Sequence, residues 1–270
     1  MSNTINAAAN PALANNLINQ ALAVQEPEQK EVKIIPPSDT VVTLPGGYIT
    51  PAGEVVTDAE VRELNGLDEE AIARTTNVGK AILTILNRGT VRIGKDKADE
   101  RLLDQLLAGD RDALILGIIK ATFGSTADIP SYCPGCSDFK TVQVDLNKDI
   151  KVKTLVDPIN DRVFTVKGKT KEFTVQLPTG LTQKDMINNS EKSSAELSTL
   201  MLEGTVVSID GSPVISKLQI QNLGLVDRRN ITESLKKRLI CPQFEDLKVK
   251  CPDCEGEVSV PINFGTLFQF

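Results

Sequence analysis

Four of the chain's five cysteines fall into two matched knuckles, Cys133-Pro134-Gly135-Cys136 and Cys251-Pro252-Asp253-Cys254, in a sequence of 270 residues with no histidine. A CxxC turn lets two thiolates converge on one ion, and a second such turn completes the tetrahedron that Zn²⁺ prefers. Pro and Gly between the cysteines suit the tight turn this needs. Without imidazole, a zinc site here is built from thiolates, with carboxylates as the only other donors. Cys133, Cys136, Cys251 and Cys254 are therefore the candidate ligands of one structural Zn²⁺. Four protein ligands leave no open position for water, so the site is not a catalytic one. The alternatives are unliganded buried thiols, a redox pair or disulfides. Cys241 has no partner at knuckle spacing and reads as a buried, small apolar residue, or else as a substitute ligand.

Strand-like runs follow each knuckle, with Val142, Val144 and Leu146 after the first and Val258, Val260 and Ile262 after the second. This predicts the two halves of a split zinc ribbon, with everything between them an insertion whose ends the metal ties together. Structural zinc in small domains supplies about 10 to 16 kcal/mol of apparent binding energy that is also folding energy. The fold class expected is α+β: helices packed around the split four-cysteine ribbon, with small β elements and a disordered or partner-ordered N-terminal arm. Four segments follow from composition: a flexible arm at 1–38, an α/β segment with the first knuckle at 39–147, a β-rich insertion at 148–222, and a helix with the second knuckle at 223–270.

Composition narrows the function classes. Aromatics make up 4% of the chain with no Trp, so the expected core is aliphatic. The formal net charge of −6 argues against a dedicated nucleic-acid binder, which needs a basic footprint. No apolar stretch is long enough to span a bilayer. No basic segment followed by an apolar one opens the chain, and together with reduced cysteines this points to a cytoplasm.

Along the chain, Asn10 caps a candidate helix from Pro11 on which Leu13, Leu17, Ile18 and Leu22 share a face. The arm reads as a flexible tail, with a helix that docks on a partner through those four residues as the alternative. Val41–Leu44 and Tyr48–Ile49 predict strands, with Pro45-Gly46-Gly47 as a turn and Pro51–Gly53 interrupting the second strand to close a hairpin. Thr57 and Glu60 read as a capping box opening a helix at Val61 and Leu64, and Asn65-Gly66 as its end. Further helices are expected at Leu67–Ile72, around Ile82–Leu86, and at Leu102–Leu107 closed by Gly109. Another starts at Asp110 as its cap and ends at Gly124. Strands are expected at Val91–Ile93, Val152–Val156, Val163–Val166, Phe173–Leu177 and Val206–Ile209, and Pro178-Thr179-Gly180 reads as a turn. Helices over Ser193–Leu202 and from Asp227 complete the reading. Lys236, Lys237 and Arg238 near the end of the last helix favour its dipole, with contact to an acidic partner as the alternative.

The absence of histidine removes Ser/His/Asp and Cys/His triads, and no GxxxxGK[ST] or strand-linked GxGxxG occurs. The residues thus describe a binding or structural module rather than an enzyme. The blocks VVTLPGGYITPAGEVVTDAEVRELNGLDEEAIAR, LLAGDRDALILGIIKATFGSTADIPSYCPGC with VQVDL, LGLVDRRNITESL and CPDCEGEVSVPINFGTLFQF occur in this order across residues 41–270. They resemble the baseplate hub assembly proteins of tailed bacteriophages with T4-type baseplates. The resemblance implies partners among phage baseplate and tail hub proteins, work in the host bacterial cytoplasm during assembly, and either departure or retention in the virion tail. A permanent baseplate subunit and a zinc-ribbon nucleic-acid regulator are the rival readings. The resemblance also implies zinc at Cys133, Cys136, Cys251 and Cys254.

Overall fold

β-branched residues open the described part of the chain, and they pair as strands. The computed structural model describes residues 40–244 and 247–268, so the reading of Leu13, Leu17, Ile18 and Leu22 as a docking face lies outside the described residues. β1 (Val41–Ile49) runs antiparallel to β2 (Val55–Val61), with Val41 opposite Glu60 and Ile49 opposite Val55. Pro45-Gly46-Gly47 is not a turn. It lies inside β1, where the register shifts between Thr43 and Tyr48, and the reversal comes at Thr50–Glu54, with Gly53 at φ 83°. Nor do Thr57 and Glu60 cap a helix: both lie in β2, which pairs on its other edge with β3 (Thr90–Ile93). Three consecutive β-branched residues, Val55, Val56 and Thr57, with a partner strand on each side, outweigh a local capping signal. β4 (Asp96–Lys97) completes a sheet ordered β1-β2-β3-β4.

Asn65 starts a helix rather than ending one. Its side chain accepts the N–H groups of Leu67 and Asp68 at the head of α1 (Gly66–Ala73), and the Asp68 carboxylate returns to the Asn65 N–H, closing a capping box. Asp68 also binds Arg62 through both oxygens, at 2.7 and 3.0 Å, and Arg88 at 3.1 Å, while being 1% exposed. The Arg62 guanidinium above all, then the Asn65 N–H and Arg88, hold this carboxyl down at about 2 against the cost of burial. Because the folded value lies below the usual one, the stabilisation is complete above pH ~4 and disappears as pH falls through ~2. Asp68→Asn is expected to lower stability at pH 7 by about 2 kcal/mol. In urea unfolding followed by circular dichroism, the gap from wild type should close near pH ~2, and a gap that persists there would assign the loss to packing instead.

α2 (Val78–Gly89), capped by Asn77, and the short α3 (Glu100–Gln105) precede α4 (Ala108–Phe123). The expected single helix through Leu107 breaks at Leu106 and Leu107, both extended. Gly109 is therefore not a terminator but sits in the first turn of α4. Ten of the sixteen residues of α4 are buried, which makes it the central core helix and not an amphipathic surface one. It packs on β1, β2 and α2, and Gly117 lets it lie directly against Val42, where a Cβ would overlap. Asp110 lies in its first turn instead of capping it. Its fully buried carboxylate accepts the Gly46 N–H at 2.6 Å and so fixes the β1 bulge to the helix. Burial pushes this carboxyl up to about 6, with the Gly46 N–H acting in the opposite direction.

β5 (Thr126–Cys133) and β6 (Asp138–Asp145) form a hairpin, and β7 (Lys151–Val152) follows. The strand expected to continue to Val156 stops at Val152, and Val156 is 96% exposed. β8 (Val163–Lys167) and β9 (Glu172–Gln176) alternate inward Phe164, Val166, Phe173 and Val175 with outward residues that are polar apart from Val163. Gly180 opens a helix, α5 (Gly180–Asn188), where a turn was expected. α6 (Ser194–Thr205) carries a capping box between Ser193 and Glu196. β10 (Val206–Ile209) and β11 (Ser212–Pro213) extend the second sheet, ordered β11-β10-β9-β8. α7 (Lys217–Gln221) and α8 (Leu225–Arg238) come next, the latter starting two residues before the expected Asp227.

β12 (Pro242–Gln243), which pairs with β7, leads to β13 (Lys248–Lys250), β14 (Glu257–Ser259) and α9 (Phe264–Phe268). The architecture is mixed α and β, with nine helices and several small sheets among the described residues. Two apolar clusters share one compact unit, Pro37–Phe270. One surrounds α4 and takes in Cys133, Val142, Val144, Cys251 and Val258; the other joins β8, β9, α6 and α8 through Phe173, Leu202, Ile231 and Ile240. Arg162 links the second to the first by donating to the Gly46 carbonyl at 3.0 Å.

Candidate metal centre

Both knuckles sit at the tips of two-stranded hairpins. Cys133 ends β5 opposite Asp138, the first residue of β6, and Cys136 lies in the turn between them. Cys251 follows β13, and Cys254 lies in the turn before β14. The residue after each second cysteine, Ser137 at φ 55° and Glu255 at φ 57°, is left-handed. The two turns therefore share a backbone device although 115 residues separate Cys136 from Cys251. In the second, the Cys251 N–H donates to Gly256 O at 2.8 Å and the Glu255 N–H to Cys251 O at 3.0 Å. The inward residues Val142, Val144 and Val258 are buried in the α4 core, as are Leu146, Val260 and Ile262 just beyond the strands. Folding of that core thus carries both tips to one place.

All four sulfurs lie within 4.8 Å of one another. Across the hairpins, Cys133 Sγ is 3.5 Å from Cys254 Sγ, and Cys136 Sγ is 3.8 Å from Cys251 Sγ. Four sulfurs at about 2.3 Å from a central ion in a tetrahedron stand ~3.8 Å apart, so the spacing and the donor set fit a metal ion. Gly135 makes the approach feasible, since a Cβ there would stand 3.1 Å from Cys254 Sγ. Cys133 and Cys251 are buried, Cys136 is half-buried and Cys254 is exposed, which leaves one side of the cluster open to solvent.

Crowding tunes the thiols unequally. Cys136 is pushed up to about 12, first by its hydrogen bond with Cys254, then by burial and by the other two sulfurs. The N–H groups of Cys254 and Asp253 draw Cys251 down to about 7. A cation among the sulfurs supplies the charge that lets all four ionise, which is why metal binding by such a set releases protons. Lys140 Nζ bridges the knuckles from outside, 2.8 Å from Asp253 and 3.4 Å from Asp138, and these carboxylates, Asp253 first, raise its pKa. The bridge orients the two tips and, being exposed, adds little to stability.

The structure brings together the four cysteines singled out by their spacing, whereas the strands that precede them were not read from the sequence. Pro130 is a poor strand former and the inward position beside it is Ser131, so β5 lacks an apolar alternation in sequence, and β13 is three residues long. Lys140 carries no signal until the second knuckle is beside the first, and the closeness of Gly135 to Cys254 likewise emerges only in the fold. Cys241 is half-buried rather than buried. Its sulfur accepts the Gln243 amide at 3.3 Å and stands outside the four-sulfur cluster.

The architecture is that of a two-core α and β protein whose distant hairpins meet at a cluster of four thiols. The family described as T4 bacteriophage base plate protein matches residues 59–236, about two-thirds of the chain, and the chain belongs to this family. The matched span contains Cys133 and Cys136 and ends before Cys251 and Cys254. No match was found among curated proteins, nor among solved structures. Membership makes this a phage baseplate protein, a class associated with the virion and with other baseplate proteins. Among the described residues, no helix is long and apolar enough to cross a membrane.

Proposed function

We propose that this chain is a hub assembly protein of a T4-type baseplate. It acts through protein contacts, without catalysis, on a scaffold held by zinc at Cys133, Cys136, Cys251 and Cys254. The observation that carries the reading is the closed cluster of four thiols uniting two hairpins in a chain of the baseplate family. A closed set of four cysteines has no position for substrate or water, which suits a structural staple within a split zinc ribbon. Assembly takes place in the host cytoplasm, where thiols remain reduced and available to the metal. Quantitative mass spectrometry of this chain in purified finished particles and in the infected-cell lysate tests the role. Abundance in the lysate with absence from particles is expected of an assembly factor that departs. A fixed copy number per particle would replace that reading with a permanent subunit of the baseplate or tail hub.

A further inference from the structure

Several cations on this surface are matched: Arg62 and Arg88 by Asp68, Arg92 by Glu60, Lys184 by Glu100 and Asp104, and Lys248 by Glu257. Others, Lys95, Lys97, Lys167, Lys169 and Lys171 among them, have no ion pair among the described residues, and one face gathers five such cations from two distant segments. Lys236, Lys237 and Arg238 are exposed on the last turn of α8, and Lys151 and Lys153 are exposed beside them. The tertiary structure makes the two segments neighbours, because β7 pairs with β12, the Lys153 N–H donates to Cys241 O, and Lys153 Nζ reaches the Lys237 carbonyl. None of these five cations has an ion pair among the described residues.

Among the described residues, most acids adjacent in sequence are engaged by backbone N–H groups. The carboxylate of Asp149 accepts the Asp145 N–H, Asp157 accepts those of Ile159 and Asn160, and Asp161 accepts that of Asp157. Asp227 of α8 is buried and accepts the Lys169 N–H at 2.7 Å. Glu233 alone remains as an exposed acid on α8. The face is also partly fixed in advance: the Arg238 guanidinium carbon lies 4.5 Å from the centroid of the Phe164 ring, and Lys153 is held on the helix carbonyl. Holding side chains before contact lowers the entropic cost of binding.

We propose that Lys151, Lys153, Lys236, Lys237 and Arg238 form the docking face for a carboxylate-rich segment of another protein. This deepens the reading of the chain as a baseplate assembly protein working through protein contacts. Five cations without an ion pair among the described residues, brought to one face by the pairing of β7 with β12 and the Lys153–Lys237 contact, repel one another, and an acidic partner relieves that repulsion. A nucleic acid fits the face less well. Its phosphates would meet the acidic remainder of the surface, and the one ring at the patch, Phe164, is 9% exposed and already covered by Arg238, leaving no stacking platform.

The test uses the full chain and fluorescence anisotropy with two probes, a fluorescein-labelled 20-residue poly-glutamate peptide and a labelled 20-base-pair duplex, at low and at physiological salt. Poly-glutamate should bind, more weakly as salt rises, and the triple variant K236E/K237E/R238E should lose about tenfold or more in affinity. The double variant K151E/K153E lies off the helix terminus and should weaken binding in the same direction, so a loss caused only by a frayed α8 is recognised. Circular dichroism checks that both variants fold. No binding of poly-glutamate by the wild type, unchanged affinity in both folded variants, or tighter duplex binding through the same residues would overturn the proposal. Concentration-dependent self-association in sedimentation that these variants abolish would also overturn it, by making a second copy the partner. None of these outcomes depends on whether the protein stays in the finished particle.

Discussion

Alanine at both Cys133 and Cys251 is expected to separate the two hairpins and to lower the melting temperature by roughly 10 °C or more. These are the two buried members of the cluster, one from each knuckle, so the double variant leaves a single cysteine on each hairpin. Two thiols cannot close a tetrahedron, and the constraint that brings residue 133 to residue 251 is lost from the folded state. Elemental analysis of the wild-type protein should give one zinc per chain, and the double variant close to none. Strong chelators should reproduce the drop in melting temperature in the wild type, because metal binding and folding are one equilibrium in such sites. Cys241→Ala serves as the control and should leave the zinc content unchanged, since that sulfur lies outside the cluster. A wild-type protein purified without metal, or a double variant that melts with the wild type, would remove zinc from the account of this fold.

Gly109→Ala is the second large effect expected, a loss of about 3 kcal/mol. A Cβ at Gly109 would coincide with the Ile240 carbonyl, which is backbone and cannot turn aside as a side chain can. Either the first turn of α4 or the segment after α8 must move. The first shift would disturb the Asp110 bond to Gly46, and the second would withdraw Ile240 from the second core. Gly66→Ala, at the start of α1 with nothing within 4 Å of its added carbon, should be within about 0.5 kcal/mol of wild type. Urea midpoints of the two variants measure the difference directly. Equal midpoints would show that the α4 and Ile240 segments yield at no cost.

These two predictions differ in where their information lies. The knuckles were legible because metal ligation imposes a fixed residue type at a fixed spacing, and no packing detail is needed to recognise it. The strands β8 and β9, the helix following Ser193 and the apolar run of α4 were equally legible, since each is a local pattern with one dominant reading. The role of Gly109 was not. Beside a leucine-rich stretch, glycine signals the end of a helix, and only the carbonyl of Ile240, 131 positions away, makes it a point of close approach.

The same division explains the other corrections. Thr57 and Glu60 have the local form of a capping box, but β1 and β3 supply hydrogen bonds on both sides and keep the segment extended. Pro45-Gly46-Gly47 has the composition of a turn, yet Asp110 and Arg162 fix it as a bulge inside a strand. The sequence by itself determined which atoms can hold a metal, which faces are apolar and that no histidine chemistry operates, because these depend on residue type and short-range period. The tertiary structure decided what lies beside what: the second knuckle against the first, β7 against β12 and the Gly109 turn against Ile240. Those contacts join positions tens to more than a hundred residues apart, and their energies exist only once the two cores have closed.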